Sequence, residues 1–153
     1  IDQLEVNSSG SIVSGSVTGA DLEVTLTGSG KIELAEAHGG ECAITLDGSG
    51  QINVEELECD RVVVDLSASG VVALSGEAAS TQLSSSGSGE AQLEDLKALD
   101  VTASLSASGN ATVWAVNELS ATIDGSGSLS YYGDPTVQSK LTGSGTLTAL
   151  GAH

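Results

Sequence analysis

The sequence predicts an all-β fold, a right-handed parallel β-helix (β-solenoid) of about eight coils of 18–20 residues, and three observations carry that prediction. A small-Ser-Gly turn recurs down the whole chain. Its glycine falls at Gly10, Gly30, Gly50, Gly70, Gly89, Gly109, Gly127 and Gly145, at spacings of 20, 20, 20, 19, 20, 18 and 18 residues. A period this regular marks a stack of structural repeats. On either side of each turn, apolar and polar residues alternate, as they do along a strand with one face buried. The composition supplies a slender aliphatic core: no Phe or Met, one Trp and two Tyr, but 20 Gly and 39% hydrophobic residues in 153.

Counted from each turn glycine, the residues eight, six and four before it and two and four after it share one parity and are mostly apolar. Around Gly30 they are Leu22, Val24, Leu26, Ile32 and Leu34; around Gly109 they are Val101, Ala103, Leu105, Ala111 and Val113. This parity faces inward, and the opposite one, with Thr25, Thr27, Ser104 and Ser106, faces out. Two before the glycine the residue is always tiny: Ser8, Gly28, Gly48, Ala68, Gly87, Ala107, Gly125 or Gly143. The expectation is a sharp corner with no interior room for a larger side chain, where Gly also tolerates positive φ. The serine between, from Ser9 and Ser29 to Ser144, should form a hydroxyl ladder hydrogen-bonded from coil to coil. The third side of each coil is short and carries Leu57, Leu96 with Leu99, or Val116. The run Leu93–Leu99 has helical spacing in isolation, but a helix would break the stacking period, so a bent strand is expected. No linker interrupts the pattern, so residues 1–153 read as one solenoid domain. Parallel crossovers are overwhelmingly right-handed, and strands about 4.8 Å apart give a rod on the order of 40 Å long. An antiparallel sandwich is disfavoured because two-residue hairpins call for Asn-Gly or Gly-x turns and would not hold one parity inward at this period.

With 21 acidic and 4 basic residues the formal charge is −17, which makes nucleic acid and anionic membranes poor partners. No apolar run is long enough to form a membrane-spanning segment. The chain starts directly in repeat pattern at Ile1, so a signal peptide is expected to have been removed or left out. Cys42 lies on the inward ladder between Leu22 and Val62, whereas Cys59 aligns three positions away on the third side. A bridge needs Cα atoms within about 7 Å, and two free thiols are expected.

The Gly-Ser-Gly repeats, the stretch Leu129-Ser130-Tyr131-Tyr132-Gly133-Asp134-Pro135 and the closing turn Leu141-Thr142-Gly143-Ser144-Gly145 together carry a family likeness. Most of the chain resembles the bacterial family described as "putative auto-transporter adhesin, head GIN domain". The resemblance implies a β-solenoid that is secreted, held at the cell surface or kept in the periplasm. It brings no catalytic residues with it.

The residues that could carry chemistry are few. Catalysis on a parallel β-helix needs clustered acid/base groups with a cation nearby. Here Lys31, Arg61, Lys97 and Lys140 fall on different coils, His38 sits in a Gly-Gly corner and His153 ends the chain, so no enzyme is expected. The nine-residue repeat of calcium-binding β-rolls is absent, which leaves only weak Ca2+ coordination where Glu55, Glu56, Glu58 and Asp60 crowd one corner. Outward Thr and Ser at spacing two resemble an ice-binding grid, but Asp47, Asp65, Asp124 and Lys140 interrupt it. Trp114 and Tyr132 each stand five after a turn glycine and should be stacked neighbours on the surface, available to a surface glycan or to an assembly contact. The expected function is non-enzymatic: an exported cell-envelope or extracellular solenoid with a structural, adhesive or self-assembling role. Self-association would run end to end into filaments, because exposed terminal rungs leave backbone groups to pair. The alternative is a carbohydrate-binding module that uses the Trp/Tyr pair.

Overall fold

Alternating runs bounded by turns can bury one face only if successive runs lie over each other. The computed structural model, which describes residues 2–7, 9–67 and 69–152, shows them doing so. The strands are β1 (Asp2–Val6), β2 (Ser11–Thr18), β3 (Asp21–Gly28), β4 (Lys31–Gly48), β5 (Gln51–Leu66), β6 (Val71–Ser85), β7 (Glu90–Leu105), β8 (Asn110–Asp124), β9 (Ser128–Tyr132), β10 (Thr136–Thr142) and β11 (Thr146–Gly151). All pairings are parallel, in the order β1-β3-β4-β5-β6-β7-β8-β9-β11, with β2 against β4 and β10 against β8. The result is a parallel β-solenoid of about seven turns. Leu93–Leu99 lies within β7 and is strand throughout.

Each long strand bends twice without leaving its ladder, and the burial pattern marks the bends. Val54 is buried, Glu55 and Glu56 are exposed in succession, and Leu57 is buried again. Then Cys59 is buried, Asp60 and Arg61 are exposed, and Val62 is buried. Two consecutive outward residues reset the parity, so a coil has three sides, here Gln51–Val54, Glu56–Cys59 and Arg61–Leu66. The same rule corrects the third side. Leu57 and Leu96 are in the core, but Leu99 belongs to the corner pair Leu99-Asp100 and is 42% exposed, while Ala98 is buried in its place. Ala115, not Val116, is the fully buried residue one coil further on.

The corners owe their small residues to the neighbouring coil rather than to lack of interior room. Gly28, Gly48, Gly125 and Gly143 have φ of 110°, 143°, 133° and 99° and are half-buried or exposed. A Cβ on Gly48 would run into the Gly28 carbonyl. The turn glycines two residues later, Gly30, Gly50, Gly70, Gly89, Gly109 and Gly127, are buried, and Gly145 is half-buried. A Cβ on Gly70 would stand 2.6 Å from the Gly50 oxygen and 2.5 Å from Leu46 Cδ2. Backbone bonds then tie corner to corner: the amides of Gln51, Val71 and Glu90 donate to the Gly30, Gly50 and Gly70 carbonyls at 3.1, 3.1 and 3.0 Å. The serine hydroxyl ladder does not do this work. Among the described residues the corner serines are exposed, and hydroxyls bond between coils from Ser67 to the Leu46 carbonyl at 3.5 Å and from Ser106 to the Ser85 carbonyl at 3.3 Å.

The expectation of two free thiols is overturned: Cys42 and Cys59 form a disulfide, with Cα atoms 6.2 Å apart and a sequence separation of 17. Counting positions along a straight ladder hides the contact. Cys59 pairs in register with Gly39, and the chain turns between Gly39 and Cys42, so two inward side chains from different sides of adjacent coils meet at the corner. Gly39 is held small by the neighbouring coil rather than by the disulfide, since a Cβ there would lie 3.0 Å from the Gly19 carbonyl oxygen but 3.7 Å from Cys42 Sγ.

Two stability outcomes follow. Gly48→Val should destabilise several times more than Thr45→Ser in urea melts, because overpacking costs typically about 1–3 kcal/mol and surface changes stay within about 0.5 kcal/mol; equal effects would contradict the corner geometry. Reduction, or Cys42→Ser with Cys59→Ser, should remove about 3 kcal/mol, the value for closing a loop of this size, and thiol titration of the unfolded, unreduced chain should find none.

Candidate functional site

Among the described residues the interior is packed mainly with aliphatic side chains, so the three outer sides are where polar chemistry gathers. Parallel register stacks equal positions into columns, and the columns differ sharply in chemistry.

On the first side the residue one after each turn glycine forms the column Ser11, Lys31, Gln51, Val71, Glu90, Asn110, Ser128, Thr146. The residue three after it forms Val13, Glu33, Asn53, Ala73, Gln92, Thr112, Ser130, Thr148. Lys31 Nζ is 2.6 Å from Glu33 Oε1, so these two cancel and Glu90 is left as the strip's one net charge. Its amides and hydroxyls are ordered among themselves: Gln92 Nε2 donates to Glu90 Oε1 at 3.0 Å, and Ser128 Oγ donates to Asn110 Oδ1 at 2.9 Å.

The third side is acidic. One column runs Thr18, His38, Glu58, Glu77, Lys97, Trp114, Tyr132. His38 Nδ1 is 3.5 Å from Glu58 Oε2 and its Nε2 is 3.8 Å from Glu36 Oε2. Beside this column a shallow groove of about 390 Å³ is lined by Gly39, Glu58, Cys59, Asp60, Glu77, Ala78, Ala79, Lys97 and Leu99.

The sequence-predicted residues fall partly together. Trp114 and Tyr132 are register partners on adjacent coils, as their shared offset requires, and both are half-buried. Lys97 Nζ lies 5.8 Å from the Trp114 ring centroid, a cation–π arrangement. Periodicity could not place Lys97 there, because β7 carries extra residues at the corner and its register shifts between Leu93 and Lys97. Glu55, Glu56, Glu58 and Asp60 are all exposed but do not converge. Glu55 faces a small groove with Val13, Glu33 and Asn53, Glu56 pairs with Glu36, and Glu58 and Asp60 line the larger groove. Among the described residues no group of three or more His, Cys, Asp or Glu side chains is placed to hold a metal ion. The near-neutral strip is the feature that sequence reasoning missed, although its signal was there: read one and three after each turn glycine, the chain is almost free of charge beyond Glu33.

These features define a parallel β-solenoid whose outer sides differ in chemistry. The chain belongs to the family described as "Putative auto-transporter adhesin, head GIN domain", whose model matches residues 17–135. No curated protein matches the sequence. Among solved structures it is similar to a protein from Parabacteroides distasonis described as a "putative lipid binding protein", with TM-score 0.95 and 29% identity over 98% of this chain and 62% of that one. A "putative adhesin" from Parabacteroides merdae gives TM-score 0.90 and 22% identity over 97% of this chain and 63% of that one. Another "putative adhesin", from Bacteroides fragilis, gives 0.80 and 18% over 97% and 92%. The two 22% and 18% likenesses establish the fold alone. The chain spans a little under two thirds of the length of the two Parabacteroides proteins.

The geometry separates two roles for the aromatic edge. Trp114→Ala should cost about 2 kcal/mol, roughly half the price of truncating a fully buried aromatic, whereas Lys97→Ala should cost no more than about 1 kcal/mol. Urea melts of the two variants check this ordering.

Proposed function

We propose that the protein is an exported, non-enzymatic solenoid of the bacterial envelope or surface that works by adhesion. The observation that carries this reading is the pair of ordered columns on the first side, a rigid binding face whose side chains need little further ordering on contact. The family match and the buried disulfide support an extracytoplasmic site, since structural disulfides persist in oxidising compartments. Catalysis finds little support: Lys31 is engaged by Glu33, Arg61 Nη2 donates to Gln82 Oε1 at 3.0 Å, and Lys97 faces Trp114. Lipid binding, the activity in the Parabacteroides distasonis protein's description, is less favoured here. The large exposed hydrophobics Val13, Leu99, Leu141 and Leu150 do not form one patch across the rod, and a charge of −17 repels anionic headgroups.

Stacking of copies belongs to the same proposal as a mode of assembly. Among the described strands β10 pairs with β8 and β11 with β9, and the same parallel ladder pairing is the bond by which a further strand, of this chain or of another copy, would join. Screening should promote it, so light scattering of the 153-residue chain is expected to rise with NaCl or divalent cations; monomers at every salt concentration would remove assembly from the proposal. For adhesion, fluorescently labelled protein should bind whole bacterial or epithelial cells saturably. No binding to either would overturn the adhesive reading.

A further inference from the structure

We propose that the first side of the solenoid binds an extended, uncharged polysaccharide, with Trp114 and Tyr132 at the border of the binding strip. This rests on the adhesive reading and names its ligand class.

Charge is the first argument. The acidic residues concentrate on the other two sides, in columns such as Asp21-Glu41 and Asp100-Glu118 on one and Glu58-Glu77 on the other. Counted from one to four after each turn glycine, the first side keeps one net charge in a chain of −17, and Glu55 and Glu94 stand at its border, at the offset of Trp114 and Tyr132. An anionic polymer meets repulsion from the whole molecule, and a cationic one would prefer the acidic sides. The strip is suited to a neutral partner.

Its chemistry and size narrow the partner further. Asn53, Gln92, Asn110, Thr112, Ser128 and Ser130 each donate and accept hydrogen bonds, as sugar hydroxyls do. Val71 and Ala73 place small apolar side chains mid-strip, where the C–H face of a sugar ring can rest. The columns repeat every coil, about 4.8 Å, close to the advance of one ring along an extended chain. At four residues wide and seven coil spacings long, the strip measures roughly 13 by 34 Å, or about 450 Å². A stable protein–protein contact buries about 800 Å² per partner, so a second folded protein is a poor fit and a ribbon-like polymer is a good one. The aromatic border adds a reporter, because Trp114 is the chain's single tryptophan.

The test is affinity electrophoresis of the 153-residue chain in gels containing a neutral β-glucan, arabinoxylan, mannan or dextran, with polygalacturonate as the anionic counterpart. At least one neutral polymer should retard the protein and shift Trp114 fluorescence saturably, and polygalacturonate should not. Asn110→Asp with Thr112→Glu should weaken binding at least about tenfold, the loss expected from a few hydrogen bonds. Ser120→Asp with Thr122→Glu, on another side, should leave it unchanged; both pairs are exposed or half-buried, and circular dichroism verifies folding. No retardation by any neutral polymer, or retardation indifferent to the first pair, overturns the glycan inference. Cell binding is measured beside it, before and after periodate oxidation of cell-surface sugars. Binding that survives periodate, with no polymer retained, sinks the glycan face and leaves adhesion standing; absence of both removes adhesion as well.

Discussion

The structure depends on one constraint: successive backbones must lie in parallel register about 4.8 Å apart at every point of the coil, corners included. Along the straight sides any residue satisfies it, because side chains stand off the ladder. At a corner the backbone turns toward its neighbour, and a Cβ on Gly48 or Gly50 would occupy the space of the Gly28 or Gly30 carbonyl. The repeated small-Ser-Gly turn is therefore a record of coil-on-coil contact. Because every coil obeys the same constraint, equal offsets become straight columns on the surface as far as no coil gains a residue.

Columns make the electrostatics a stacking problem. Like charges directly opposite each other on paired strands are unfavourable, and the chain limits the effect by exposing the acids to water and by interrupting the columns with cations. Arg61 follows Asp21 and Glu41 in one column, and Lys97 follows Glu58 and Glu77 in another. Lys31 sits beside Glu33 on the first side. Three of the four basic residues thus relieve crowding of carboxylates, which explains why they are scattered rather than gathered.

Much of this was legible in the sequence. The period fixes the number of coils, and the parity rule places Leu26, Ile44 and Val113 in the core, where they are buried. The alignment of Trp114 with Tyr132 follows from their equal offsets. What escaped is what lies across a corner. Cys42 and Cys59 differ by three positions in ladder count, yet the bend brings them together; Leu99 reads as core until the adjacent Asp100 shows that both belong to a turn. Offsets also fail where a coil gains residues, as at Lys97, whose place against Trp114 depends on a register shift no period contains. The neutral strip escaped for another reason: attention to charged and aromatic residues passes over a surface whose distinguishing property is the lack of them.

Under the adhesive reading proposed above, the disulfide has a mechanical meaning. Tension applied to the two ends of a stacked coil peels it turn by turn, each turn releasing its contour length as the ladder beside it opens. The covalent link between Cys42 and Cys59 closes 17 residues of that path, so about 58 Å of chain, at roughly 3.4 Å per residue, stays spooled until the bond is reduced. The chain would thereby be shorter under tension in an oxidising medium than in a reducing one, with no change in the folded shape.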